Sequence, residues 1–143
     1  MMNKIKWGVI STAKIGTEKV IPGLQSSEFG EVRAIASRQE SQAKSTAESL
    51  GIPVHYGSYE ALFDDPEIDA IYNPLPNHLH VPVSIQAMRA GKHVLCEKPI
   101  ALSVEQTQEL IDAAAQLPDI KVMEAFMYRF HPQWIRALSL IHI

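Results

Sequence analysis

The sequence predicts an α/β domain built on a doubly wound, all-parallel sheet with helices on both faces. Two observations carry this expectation. Short apolar runs alternate with helix-spaced stretches, and a strand–helix–strand rhythm imposes parallel pairing because each crossover returns the chain to the same edge. Runs such as Ala70-Ile71-Tyr72 and Val94-Leu95-Cys96 are apolar on consecutive residues, which suits strands covered on both faces. Right-handed crossovers then give the doubly wound order, with ligands at the carboxyl ends of the strands.

The elements follow in order. Residues 5–10 form a first strand, and a helical pattern runs on through Val20, Ile21 and Leu24, with Pro22 predicting a kink or an early end. Residues 32–36 form the second strand, and an Ala-rich helix over 41–50 is closed by Gly51. A brief strand at 54–56 precedes a helical turn over 58–63, stopped by Asp64-Asp65-Pro66. The fourth strand spans 68–72, a helix closed by Gly91 spans 81–90, and the fifth strand spans 93–96. Ser103 caps a helix reaching Leu117, with Gln106 at the capping-box position, and the sixth strand covers 121–125.

Composition narrows the partners. The 143 residues suffice for one domain, and 46% hydrophobic with 20% charged residues support a packed core. Thirteen basic against sixteen acidic side chains give a formal charge of −3 without a basic block, which argues against nucleic acid or an anionic membrane as the main partner. The single cysteine, Cys96, excludes an internal disulfide and fits a reducing, cytoplasmic setting as an inert buried thiol. The start is not a signal peptide, because Lys6 and Gly8 break the apolar run. No apolar segment approaches the roughly 20 residues that span a bilayer.

The first strand-to-helix turn, Ser11-Thr12-Ala13-Lys14-Ile15-Gly16, occupies the place of the dinucleotide fingerprint, with small residues at Ser11, Ala13 and Gly16. One glycine of three makes a weak motif, compatible with a plain tight turn. The second strand adds weight, since it ends in Ser37-Arg38 where an acidic residue would hold the ribose hydroxyls. A hydroxyl and a planar guanidinium suit a phosphate monoester, so NADP is expected over NAD, against an Arg38 that simply lies in solvent.

Two further segments, Ile71-Tyr72-Asn73-Pro74-Leu75-Pro76-Asn77-His78-Leu79-His80 and Ala90-Gly91-Lys92-His93-Val94-Leu95-Cys96-Glu97-Lys98-Pro99, complete a resemblance. With the first turn they resemble the Gfo/Idh/MocA family of NAD(P)-dependent oxidoreductases, in the branch of NADP-dependent xylose dehydrogenases and dimeric dihydrodiol dehydrogenases. The likeness runs from about Ile5 through Pro132. Ser11 and Ala13 depart from the family's glycines, and Gln42 stands where a lysine is frequent. The resemblance implies that Lys98 is catalytic, with a Lys98–Pro99 peptide that is commonly cis in the family and Glu97 orienting the segment. It implies that Leu75, Pro76, Asn77 and His80 line the nicotinamide-ribose side, that Arg129 reaches the cofactor or braces the site, and that Tyr56 lies against the adenine side or simply packs. Phe126, Met127 and Phe130 are expected in the core or at a domain interface. His78 and His80 lack the partners of a zinc set, so no metal is expected.

The resemblance also implies a cofactor-binding Rossmann domain over residues 1–130, with residues 131–143 beginning a connection to a second domain that supplies a proton-transfer partner. The chain as it stands is then a cofactor-binding half, inactive alone, of a homo-oligomeric protein acting on a sugar or polyol carbinol. Residues 138–143 match the translation of CTG-TCT-CTT-ATA-CAC-ATC, the end of a sequencing adapter, and are expected to be non-native. The alternative is a genuine apolar helix, since Trp134, Ile135, Leu138 and Ile141 have helical spacing. Alternative functions are a nucleotide-sensing regulator without catalysis and a trans-dihydrodiol or inositol dehydrogenase.

Overall fold

The computed structural model describes residues 4–141. His142 and Ile143, part of the expected non-native tail, lie outside them. Six strands, β1 (Ile5–Ile10), β2 (Gly30–Ala36), β3 (Val54–Tyr56), β4 (Ala70–Asn73), β5 (His93–Cys96) and β6 (Val122–Glu124), form one sheet in the order β3-β2-β1-β4-β5-β6. Every pairing is parallel. This is the doubly wound order that the sequence rhythm predicts, and its switch point lies between β1 and β4.

Helices α1 (Ile21–Ser26) and α2 (Glu40–Leu50) cover one face, where Val9, Ile21, Val32, Ile35, Ala47 and Tyr72 pack together. Helices α3 (Tyr59–Phe63), α4 (His80–Arg89) and α5 (Val104–Ala115) cover the other, over Ile10, Leu62, Ile71, Met88, Val94 and Cys96. Neighbours such as Ile71 and Tyr72 therefore enter different cores, which is why the strands read as continuous apolar runs. A sixth helix, α6 (Pro132–Ile141), carries the helical spacing noted around Trp134, and its large apolar side chains are exposed.

Local signals hold with small shifts. Gly51 ends α2 in the left-handed region at φ 66°, donating its N–H to Ala47, and Gly91 follows α4 at φ 81°; a Cβ is disfavoured at both. Ser103 caps α5 by accepting from the Gln106 N–H, but the Gln106 side chain reaches the Leu102 N–H (2.9 Å), one residue ahead of the cap. Pro22 does not end its helix. A five-residue π-helical turn, Gly16–Val20, precedes it, and the Ile21 N–H bonds back to Gly16; the wider turn absorbs the ladder bond that proline cannot make. The fourth strand begins at Ala70 rather than residue 68, because pairing with β1 opens at Trp7↔Ala70 while the Asp69 carboxylate accepts from the Lys6 N–H at 2.8 Å. Buried Lys92 ties that approach, donating to the carbonyls of Asp65 (2.7 Å) and Ile68 (2.8 Å).

Candidate cofactor and catalytic site

The carboxyl rim of the sheet is sewn together one residue beyond the strands. Ser11 N–H donates to Ala36 O (2.7 Å), Ser37 N–H to Tyr56 O (3.1 Å), Glu97 N–H to Asn73 O (2.9 Å) and Ala125 N–H to Cys96 O (2.7 Å). Most of the expected site residues stand on this rim, Arg129 excepted.

Ser11 takes φ 91°, the left-handed conformation that the fingerprint's first glycine supplies without strain. Its Oγ compensates by accepting from the Ala13 N–H at 3.0 Å. The helical ladder opens with Thr17 N–H to Ala13 O (3.1 Å), so the amides ahead of it form the positive end that an anion meets. Gly16 serves close packing, since a Cβ there would lie 3.4 Å from the Tyr72 ring and 3.7 Å from Pro74. Thus the turn has the tight bend, open amides and close helix–strand approach that a pyrophosphate site needs, and its residues fit a dinucleotide. Ser11→Gly is expected to stabilise the protein by about 1 kcal/mol by removing the strain, read as a rise of a few degrees in the thermal midpoint.

At the end of β2, Ser37 is buried and its Oγ accepts from the Gln39 N–H (3.2 Å), while Arg38 is exposed. Tyr56 is half-buried and its hydroxyl donates to Asp65 at 3.0 Å, so packing and this bond account for it. Sequence reasoning missed Tyr59. Burial raises the pKa of its phenol, and the positive charge of Arg38 works against that rise.

At the end of β4, Asn73 is fully buried and hydrogen-bonded at both side-chain polar atoms. Its Nδ2 donates to His80 O (3.2 Å) and Ser84 Oγ (3.1 Å), and its Oδ1 accepts from Leu75 N–H (3.2 Å). Asn73 thereby fixes the turn that carries buried Leu75 and exposed Pro76 and Asn77. His80 is 1% exposed, and its Nδ1 and Nε2 each lie 2.7 Å from a backbone carbonyl, of Pro99 and Leu75 respectively. A neutral ring donates to one of the two, and donation to both takes a proton on each nitrogen. His80 thus clamps the turn after β4 to the segment after β5.

The Lys98–Pro99 peptide is cis, as expected. Lys98 is exposed, and no carboxylate among the described residues lies within 4.0 Å of its ammonium or of the Arg38 guanidinium. Glu97 is buried, with Oε1 accepting from the Tyr72 hydroxyl (2.8 Å) and Oε2 from the Lys98 N–H (3.3 Å). Burial and the Glu97 carboxylate hold the Tyr72 phenol well above its usual range. Glu124, on β6, accepts from the Ile100 N–H at 2.9 Å and braces the same segment. Tyr72 and Asn73 also escaped sequence reasoning; their adjacency to the Pro-Leu-Pro turn was the available signal.

Arg129 stands apart. It follows β6 in a short 3-10 turn, Met127–Phe130, two strands away from the β1–β4 crevice, and is exposed. Phe126, Met127 and Phe130 are exposed rather than in the core. With Trp7, Ile15 and Tyr72 they line an apolar cavity of about 800 Å³ on the α1 face. Cys96 is fully buried, and burial pushes its thiol up to about 12. With little thiolate at pH 8, Cys96 is expected to resist iodoacetamide in the native protein and to label fully in denaturant, as read by intact mass. No helix among the described residues is long and apolar enough to cross a membrane.

Comparison with known proteins places this geometry. The chain is 49% identical over 135 residues to D-xylose 1-dehydrogenase (NADP(+)) 2 of Haloferax volcanii, an alignment covering 94% of the chain and 41% of that protein. It is 42% identical over 140 residues to trans-1,2-dihydrobenzene-1,2-diol dehydrogenase of Xenopus tropicalis, covering 93% of the chain and 41% of that protein. The crystal structure of KijD10, a 3-ketoreductase from Actinomadura kijaniata in complex with NADP and TDP-benzene, superimposes with a TM-score of 0.89 at 37% identity, covering 98% of this chain and 42% of that one. The chain therefore spans about two-fifths of the length of these relatives. The family model GFO_IDH_MocA, described as an oxidoreductase family with an NAD-binding Rossmann fold, matches residues 5–126. The chain belongs to the Gfo/Idh/MocA oxidoreductase family, of which it carries the NAD-binding Rossmann domain.

Proposed function

We propose that this chain is the cofactor-binding portion of an NADP-dependent oxidoreductase that transfers a hydride between the nicotinamide and a sugar or polyol carbinol. The single observation behind this reading is the rim around the β1–β4 crevice, where the Ser11–Gly16 turn, Ser37-Arg38 and Glu97-Lys98 follow the carboxyl ends of β1, β2 and β5. The relatives' printed names support the choice of NADP and of a sugar-type carbinol.

In this reading NADP supplies the hydride acceptor or donor. The amides of the first turn would hold the pyrophosphate, with Thr12 and Ile15 at its edge, and Ser37 with Arg38 would hold the 2′-phosphate. Leu75, Pro76 and Asn77, held by Asn73 and His80, line the ribose on the nicotinamide side. Lys98, after β5 and with no carboxylate within 4.0 Å of its ammonium among the described residues, would donate a hydrogen bond to the reacting oxygen and favour its alkoxide-like state. The hydroxyl proton leaves to a base supplied by the rest of a protein of the relatives' length. Tyr56, at the end of β3, would stand on the adenine side, and Arg129, exposed two strands from the crevice, takes no part in this reading.

Tryptophan fluorescence titration tests the cofactor choice. NADP(H) is expected to bind more tightly than NAD(H), and equal affinities would remove the NADP assignment. A panel of pyranoses, inositols and trans-dihydrodiols, given to the full-length protein, identifies the carbinol.

A further inference from the structure

Glu97 extends the ladder of β5 by one residue, its N–H donating to Asn73 O at 2.9 Å. Its side chain therefore leaves the sheet on the same face as Leu95, two residues earlier. Tyr72 is the register partner of Leu95 and lies on that face too, in the core beneath α1. The Tyr72 hydroxyl donates to Glu97 Oε1 at 2.8 Å, and the Lys98 N–H donates to Oε2 at 3.3 Å. Both donors are neutral. No lysine, arginine or histidine nitrogen among the described residues lies within 4.0 Å of this carboxylate, and the residue is only 9% exposed. Burying a charge without a counter-ion is costly.

The same face holds the apolar cavity of about 800 Å³, lined by Tyr72, Leu95, Glu97 and Phe126, and by Ile15 from the first turn. Its charged linings are Lys19, which is exposed, and Glu97, which is buried. Aromatic and aliphatic walls around one buried carboxylate suit a planar, delocalised cation.

We propose that Glu97 selects the oxidation state of the bound dinucleotide: its carboxylate favours the cationic pyridinium ring of NADP+ over the neutral dihydropyridine ring of NADPH. This rests on the cofactor reading above, which runs the dinucleotide from the first turn towards Lys98 and so past Glu97. Burial lowers the local dielectric, so the charge is felt more strongly than it would be in water. The tyrosine hydroxyl and the backbone amide stabilise the anion without cancelling it. A lysine or arginine in their place would neutralise it, and the two rings would then bind alike.

The test is isothermal titration of the purified chain with NADP+, NADPH and 2′-phospho-ADP-ribose, which lacks the ring. Glu97→Gln keeps the size and an acceptor for the Tyr72 hydroxyl but removes the charge, whereas Glu97→Asp keeps the charge. Glu97→Gln is expected to weaken NADP+ about tenfold while NADPH and the ringless probe stay within about twofold. Glu97→Asp is expected to retain most of the wild-type preference for NADP+. Equal weakening of all three ligands in Glu97→Gln would show a structural role and overturn the proposal, as would unchanged NADP+ affinity. The wild type is itself expected to hold NADP+ several-fold more tightly than NADPH. Equal or reversed affinities there would overturn the proposal whether or not the variants fold. Absence of heat for all three ligands with the folded wild type would instead remove the cofactor reading, and the role of Glu97 with it.

Discussion

Replacing Lys98 with alanine in the full-length protein is expected to lower turnover roughly 100- to 1000-fold while leaving NADP(H) affinity within about threefold. The side chain is exposed at the rim, without a carboxylate within 4.0 Å among the described residues. Its loss therefore strands no buried partner and leaves the fold intact. What disappears is a cation that stabilises charge appearing only as the hydride moves, an interaction made in the transition state rather than in the binary complex. Steady-state kinetics beside cofactor titration separates the two quantities. A parallel collapse of both would place Lys98 in cofactor binding, and unchanged turnover would remove it from the chemistry. Lys98→Arg is expected to recover only a fraction, because a planar fork does not reproduce the compact ammonium.

The second large effect concerns stability. His80→Ala is expected to cost about 3–5 kcal/mol, measured by urea unfolding. The ring is 1% exposed, and it faces the carbonyls of Leu75 and Pro99 at 2.7 Å each. Removing it leaves a buried carbonyl without its donor, at roughly 1–3 kcal/mol, together with a cavity that the surrounding core fills only partly. Cofactor affinity is expected to fall as well, since the turn after β4 and the cis segment after β5 lose their clamp. A cost below about 1 kcal/mol would mean that the clamp contributes little. His80 therefore shapes the site through other residues' backbone, a different role from that of a side chain aimed at the ligand.

The architecture was legible because period and punctuation agreed along the chain. Apolar runs at β4 and β5, Gly51 and Gly91 after their helices and Ser103 before α5 each state a local preference that the packing keeps. Boundaries moved where tertiary bonds decided them, as at Asp69, whose carboxylate holds the Lys6 amide and delays β4 to Ala70. Pro22 announced a disturbance but not its form, because a π-helical turn depends on how the neighbouring turns accommodate a missing N–H. Within the candidate site, Ser11, Gly16, Ser37 and Arg38 were readable as residue types at fixed offsets from strand ends, and Lys98 through the resemblance to the family. Tyr72 and Asn73 were not. Each owes its position to a partner distant in sequence, such as Glu97 for Tyr72 or Ser84 for Asn73, and no local spacing encodes that.

The switch point has a practical corollary. Strands β1 and β4 share only the register pairs Trp7↔Ala70, Gly8↔Ile71 and Val9↔Tyr72, and this narrow seam joins the two windings of the sheet. A molecule lying across the strand ends above it grips both windings at once, and unfolding must release it. Each tenfold rise in its free concentration above the dissociation constant then adds about 1.4 kcal/mol to the native state. Heating the chain against a series of pyridine nucleotides would rank them by how far each delays melting, an assay that needs neither substrate nor turnover.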